Sequence, residues 1–377
     1  MTLLDQGTTP LDLPTPSLVI DRAVLERNLD EVAALAAQHG VELLPHAKTH
    51  RMADLGRLQL ERGAHGLTVA KVGEAERFAD AGATRLFVAY PLVGEAVAYR
   101  VLALADRAEL AVGVDSVEGA ASLGAVFAAA GRELTVVLAV DSGLGREGVE
   151  PAAALDVARG IQAVEGVELA GIFTHEGSVY GSLPGEVAAA SRDVAGRMVA
   201  LADELRAGGI PIRVVSLGSS ASVRDVIGVP GVTQVRPGIY AVNDLGQVAL
   251  GTASLGSTAI RVHATVVSRG GADRGCIDAG SKALGADLLP ASALREQYPG
   301  YGLLVGHPGW VIDKLSEEHG WLRWIGGGEP SPLPVGTRVE IVPNHACVVF
   351  SALRRASVVQ GGAVVATWDG FGPGSST

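Results

Sequence analysis

The chain has 377 residues, 48% of them hydrophobic, and a formal net charge of −11 at pH 7. That length holds one large domain and a smaller one, each with an ample core, and the acidic balance excludes nucleic acid or an anionic membrane as main partner, since both select a basic face. No apolar run approaches the ~18 residues that span a bilayer, MTLLDQGTTP lacks a basic region followed by an apolar signal core, and Cys276 and Cys347, the two cysteines, make no disulfide framework; a cytoplasmic protein acting on a small molecule is expected.

Near the start, TPSLVIDR reads as a strand, and residues 1–20 are free to join a domain other than the one that follows. Short apolar runs then alternate with stretches of helical period such as LERNLDEVAALAAQHG. The runs are VELLPHAK, GLTVAK, RLFVAY, ELAVGVDS, ELTVVLAVDS, ELAGIFTHEG, VVSLGSS and TQVRPGIY. Eight strands separated by helices predict an α/β fold, a (β/α)₈ TIM-like barrel over residues 15–246. A doubly wound open sheet would use the same alternation, but the Gly-rich fingerprint after its first strand is absent.

From about Gln247 the rhythm changes. RVHATVVSR, YGLLVG, GTRVEIVP, CVVFSAL and ASVVQGGAVVATW are β-branched and separated by Gly, Pro and Asp, with no long helical stretch among them. They predict a second, mostly antiparallel β-domain over residues 247–370, and the tail WDGFGPGSST has the composition of a fraying end.

Barrel enzymes carry their chemistry at the C-terminal ends of the strands. Here those ends are Lys48, Lys71, Tyr90, Asp115, Asp141, His175, Ser219 and Arg236, a ring of polar groups around one mouth. After the seventh strand, SLGSSAS offers backbone N–H groups and Ser hydroxyls to a phosphate. After the eighth, RPGIY places Gly238 where a backbone can approach closely. Lys48 facing such a phosphate site suggests pyridoxal 5'-phosphate held as a Schiff base. In PNHAC, an extended strand would turn His345 and Cys347 to one face, where imidazole and thiolate could close on one metal ion. On spacing alone, an ordinary buried cysteine beside a strand histidine fits better.

HAKTH with Thr15–Pro16 upstream, AKVGEAE, VDSGLGREGV, THEGSVY, RPGIY, DAGSKAL, LSEEHG and PNHAC together resemble the D-serine dehydratase and D-threonine aldolase family, from about Thr15 to Val349. That family is the metal-dependent branch of the alanine-racemase-like, fold-type III pyridoxal phosphate enzymes. The resemblance implies that Lys48 is the Schiff-base lysine and Arg146 the partner of the cofactor's phenolic oxygen. His175 and Tyr180 would line the pocket, and Gly218, Ser219 and Ser220, with the backbone at Gly238 and Ile239, would hold the phosphate. His345 and Cys347 would bind a divalent metal, zinc or manganese. The implied partner is a β-hydroxy D-amino acid, and the implied assembly a homodimer.

The implied activity is a lyase, by dehydration to a keto acid and ammonia or by retro-aldol cleavage to glycine and an aldehyde. The H-x-C pair resembles the dehydratases, whereas aldolases more often show H-x-D. A racemase and a non-catalytic pyridoxal phosphate carrier are the alternatives; PNHAC argues against the first, and the second β-domain against the other. The chain departs from the family where H-x-G-H-x-Y becomes HEGSVY, RPGNY becomes RPGIY, and the GSTPT-like loop becomes GSSAS.

Overall fold

A computed structural model describes residues 8–372 and divides into two compact units. One comprises residues 8–29, 49–52 and 239–370, the other residues 30–48, 53–238 and 371–372. Residues 1–7 of the N-terminal segment and 373–377 of the tail lie outside the described residues.

Strand β1 (Ser17–Asp21) opens the chain. Eight strands follow, each pair but the last separated by a helix of nine residues or more: β2 (Glu42–Leu43), β3 (Leu67–Val69), β4 (Arg85–Pro91), β5 (Glu109–Val114), β6 (Leu134–Ala139), β7 (Val167–Phe173), β8 (Val214–Leu217) and β9 (Gln234–Val235). They form one parallel sheet in the order β2-β9-β8-β7-β6-β5-β4-β3. The ends of that sheet meet through an isolated parallel bridge between His46 and Thr68, with Thr68 N–H donating to Pro45 O at 2.8 Å and Thr68 Oγ1 to Leu44 O at 2.8 Å. The barrel therefore closes on itself. β2 is short because Pro45 has no N–H to continue the ladder. Inside, Phe87 and Phe173 meet edge to face at 5.2 Å, packed with Leu44, Val137 and Ala139. Gly113 makes room for them, since a Cβ there would reach 2.9 Å from Phe173 Cζ.

The remaining strands are β10 (Ile260–Arg269), β11 (Arg274–Ile277), β12 (Leu303–Leu304), β13 (Trp310–Leu315), β14 (Gly320–Trp324), β15 (Arg338–Val342), β16 (Arg355–Gln360) and β17 (Ala363–Asp369). With β1 they form a nine-stranded sheet whose main path is β13-β14-β11-β10-β1-β16-β17, with β15 joining β10 and β12. All its pairings are antiparallel except β1 with β16. β1 thus belongs to this second sheet by hydrogen bonding.

Two sequence expectations fail here. CVVFSAL is a helix, Ala346–Leu353, rather than a strand. Its N-terminus is capped from elsewhere in the same unit, where the buried Asp244 carboxylate accepts the Ala346 N–H at 2.8 Å. Nor does the tail fray as far back as its composition implies, for Asp369 ends β17 and the Phe371 ring packs edge to face on Phe78 at 4.8 Å. DAGSKAL and LSEEHG meet: Ser281 N–H and Lys282 N–H donate to Ser316 O and Glu317 O, and Lys282 pairs with Glu318 at 2.8 Å on the surface.

Candidate active site

Lys48 sits in a single 3-10 turn, Ala47–Thr49, directly after the bridge that closes the barrel. Its neighbour His46 is buried, and Nδ1 of that ring has no hydrogen-bond partner. Burial, then the charges of Lys48 and Arg236, push the His46 pKa far down, so the ring is neutral. His175 follows β7, and its pKa is lowered to about 3 by burial, then by Lys48, Arg146 and Arg236. Two neutral imidazoles therefore stand among three cations.

Arg236, one residue past β9, is the most deeply set of those cations, at 8% exposure. Its guanidinium donates to Ser216 Oγ at 2.8 Å and Thr174 O at 2.6 Å and lies over the Phe87 and Phe173 rings at 5.6 and 5.2 Å. Burial lowers its pKa to about 10, against the pull of Glu176 and Glu147. It stays charged at neutral pH.

Arg146 is carried by the loop after β6. The Asp141 carboxylate gathers the N–H groups of Gly143, Leu144 and Gly145 at 2.8, 2.9 and 3.1 Å, and Val140 bridges Val149 where the loop returns. Those backbone bonds hold the Asp141 pKa below the usual carboxylate range. The turn needs left-handed glycines at 143, 145 and 148. Arg146 emerges paired in a fork with Glu147, and a small pocket lined by Asp141, Leu144, Glu147, Thr174 and His175 lies beside it. The Lys71 ammonium lies over the Tyr90 ring at 3.8 Å on neighbouring strand ends, and the Tyr90 phenol adds to the field on Arg146.

Tyr180, in the turn Gly177–Gly181, sets its ring 6.2 Å from that of His175. The loop after β8 turns at Gly218, φ 98°, tight against Val235, which a Cβ would approach to 3.1 Å. Its amides are not all exposed as the sequence implied. Gly218 N–H donates to Glu176 Oε1 at 2.7 Å and Ser219 N–H to Ser222 Oγ at 2.8 Å, while Ser219 itself is buried against Ser222. Ser220 follows on the same turn. Pro237 O, just before Gly238, accepts His46 N–H at 3.0 Å, and Ile239 begins the next short turn. Lys48, Arg146, His175 and Arg236 are thus brought within electrostatic reach of one another. Sequence reading flagged Arg236 only as a strand end and passed over His46 and Glu176, although HAKTH and HEGSVY contain them.

His345 and Cys347 belong to the other unit and come together by a route the spacing did not foresee. His345 is the extended N-cap residue of the helix Ala346–Leu353, and Cys347 lies in its first turn. A hydrogen bond joins their side chains, and Cys347 Sγ is 3.5 Å from Thr49 Oγ1, the residue after Lys48 in the chain. The His345 pKa is raised to about 10, by Cys347 first and then by Asp287 and Asp244, against burial. Asp287 Oδ2 lies 2.6 Å from His345 Nδ1 and fixes the ring so that Nε2 is the remaining nitrogen. That arrangement of imidazole, carboxylate and thiol fits a metal ligand pair with an orienting carboxylate. Among the described residues no group of three or more His, Cys, Asp or Glu is placed to hold an ion.

The mouth also fits an anionic cofactor: three cations converge on neutral histidines, one of them with an unpartnered buried nitrogen beside Lys48. No helix among the described residues is long and apolar enough to cross a membrane.

Comparison with known proteins gives the site its class. Residues 20–244 match the model of the alanine racemase N-terminal domain and residues 259–359 that of the serine dehydratase domain. D-threo-3-hydroxyaspartate dehydratase of Delftia sp. (strain HT23) is 33% identical, over 96% of this chain and 98% of its own. D-threonine aldolase of Arthrobacter sp. is 31% identical over 94% and 91%. The solved structure of the Delftia dehydratase covers 96% of this chain and 99% of its own, with a TM-score of 0.89 at 31% identity. Fold and relatives together place the chain among the pyridoxal phosphate-dependent lyases of fold type III. The chain belongs to the D-serine dehydratase and D-threonine aldolase family.

Proposed function

We propose that the protein is a pyridoxal phosphate- and divalent-metal-dependent lyase of β-hydroxy D-amino acids that acts by dehydration, in the manner of D-serine dehydratase, releasing a 2-oxo acid and ammonia. The pairing of His345 with Cys347 at one helix N-terminus, with Asp287 on the ring, carries this reading. It is supported by the Delftia dehydratase, solved both as a histidine-to-alanine variant and, two positions further along, as a metal-free cysteine-to-alanine variant. The thiolate favours zinc over harder ions such as manganese.

Lys48 would anchor the cofactor, Arg146 would face its phenolic oxygen, and Gly218, Ser219 and Ser220 with the backbone of Gly238 and Ile239 would hold its phosphate. His175 and Tyr180 would line the pocket. When bound, the cofactor supplies an electron sink for charge at Cα and the metal a Lewis acid for the β-oxygen. Lys48 Nζ is the base for the Cα proton. A neutral His175 can accept or donate one hydrogen bond without adding charge, and burial, with Lys48, Arg146 and Arg236, keeps it neutral. With the α-proton removed, the β-hydroxyl takes up a proton and leaves as water, and the released enamine tautomerises to an imine that a water molecule hydrolyses to the 2-oxo acid and ammonia.

The second reading is aldol cleavage, in which the β-hydroxyl proton is removed and the Cα–Cβ bond breaks. The 31% identity to the Arthrobacter aldolase favours it. D-threonine separates the two: a dehydratase yields 2-oxobutanoate and ammonia, an aldolase glycine and acetaldehyde. Glycine as main product overturns the dehydratase assignment.

A further inference from the structure

Glu176 has no part in the chemistry above, yet its carboxyl lies under the loop assigned to the phosphate. It is 1% exposed and follows His175 directly. Its Oε1 accepts the Gly218 N–H at 2.7 Å and the Ser222 hydroxyl at 3.0 Å. Ser222 Oγ in turn accepts the Ser219 N–H at 2.8 Å and lies 3.0 Å from Ser219 Oγ. One buried oxygen therefore ties both ends of the Gly218–Ser222 turn, and Gly218 has no slack, with a left-handed φ of 98° against Val235.

Burial sets the net direction at this carboxyl, whose pKa lies above the usual carboxylate value. Burial raises its pKa, while its own amide, the Arg236 guanidinium, Gly218 N–H and the Ser222 hydroxyl hold it down. Of the other ionisable groups nearby, His175 is neutral and Glu147 acts on Arg236 from the Arg146 loop. A phosphate dianion entering the same loop would add like charge to a site with little water to screen it, and that favours the neutral carboxyl.

We propose that Glu176 is the positioning residue of this anion site: it holds the turn in shape through Oε1, and it takes up a proton from solvent on its other oxygen when a phosphate dianion binds. This rests on the assignment of the phosphate to the loop. Protonation on the other oxygen leaves Oε1 free to keep both loop hydrogen bonds, so shape and charge are adjusted by one group.

The test is calorimetric titration of the full chain, stripped of cofactor, with 4'-deoxypyridoxine 5'-phosphate, which carries the phosphate but no aldehyde to react with Lys48. Two buffers of different ionisation enthalpy give the proton balance. Wild type should take up more protons than Glu176→Gln near pH 7, by at most one per site. Glu176→Gln, which keeps the acceptor oxygen and mimics the neutral acid, should bind at least as tightly with no uptake and with a flat pH profile. Glu176→Ala leaves Gly218 N–H and Ser222 without their partner and should weaken binding by about tenfold. Equal uptake in wild type and Glu176→Gln, with the preference for phosphate intact, overturns the role of Glu176 alone. Equal binding of phosphate-free 4'-deoxypyridoxine overturns the loop's assignment, and the proposal with it.

Discussion

Replacing Gly148 by alanine should break the loop that carries Arg146. Gly148 has φ 99°, and a Cβ there would come within 2.7 Å of both Asp141 N and Val140 C, backbone atoms fixed by the bridge from Val140 to Val149. The left-handed conformation costs an alanine about 1–2 kcal/mol. Crowding against backbone that cannot rotate away costs about 1–3 kcal/mol more. Gly145, in the same loop, has φ 70° but nothing within 4 Å of its would-be Cβ, so Gly145→Ala bears only the first cost. For 377 residues the unfolding entropy is about 0.8 kcal/mol per kelvin. Gly148→Ala should therefore unfold about 3–6 °C below wild type and Gly145→Ala about 1–3 °C below, by differential scanning calorimetry. Displacing Arg146 should also shift the visible pH titration of the bound cofactor in the first variant only, because a cation beside a phenolic oxygen favours its ionised form. Equal melting temperatures and equal spectra in the two variants would refute both the strain and the placement of Arg146.

Lys48→Ala should lose the peptide label left by borohydride reduction and, by steady-state assay, lose activity by about 10²–10⁴-fold or more; a label on another lysine sinks the assignment. Cys347→Ala or a chelator should abolish turnover while the cofactor's absorbance persists, and Asp287→Asn should weaken metal affinity by about 10–100-fold, measured by competition with a chromophoric chelator. If the chelator and Cys347→Ala leave turnover untouched, His345 and Cys347 are ordinary helix-end residues. His175 has a folded pKa of about 3, below its unfolded value of 6.5, so the unfolded chain binds the extra proton and stability falls as pH drops through that window. Denaturant titrations of cofactor-free protein should show His175→Gln to have lost about 2 kcal/mol of the decline between pH 6.5 and 5; an unchanged slope would show that the imidazole is not buried neutral.

The barrel was legible because its signal is local. Each run such as RLFVAY or ELAVGV alternates with a helical stretch, and a parallel strand returning after a helix leaves little choice but the observed order β2 to β9. Strand ends were legible for the same reason, and with them Lys48, His175 and Arg236, since the end of a run marks the mouth of the barrel. The motifs then named the family, because each spans only a few neighbouring residues.

What the sequence could not carry is any decision made by partners far along the chain. CVVFSAL has the composition of a strand, yet Asp244, 102 residues before Ala346, accepts the first amide and lets a helix begin. That cap, rather than an extended face, places His345 and Cys347 together. Asp287 reaches His345 across 58 residues, and Glu176 reaches Gly218 across 42, with no periodicity to announce either. β1 likewise reads as a strand anywhere, but its place beside β10 and β16 is fixed by ladders to residues 260–263 and 356–359. Local pattern states which backbone each segment prefers; only the folded chain brings a distant carboxylate to an unsatisfied N–H or imidazole, and that pairing sets where the helix starts and which groups share a site.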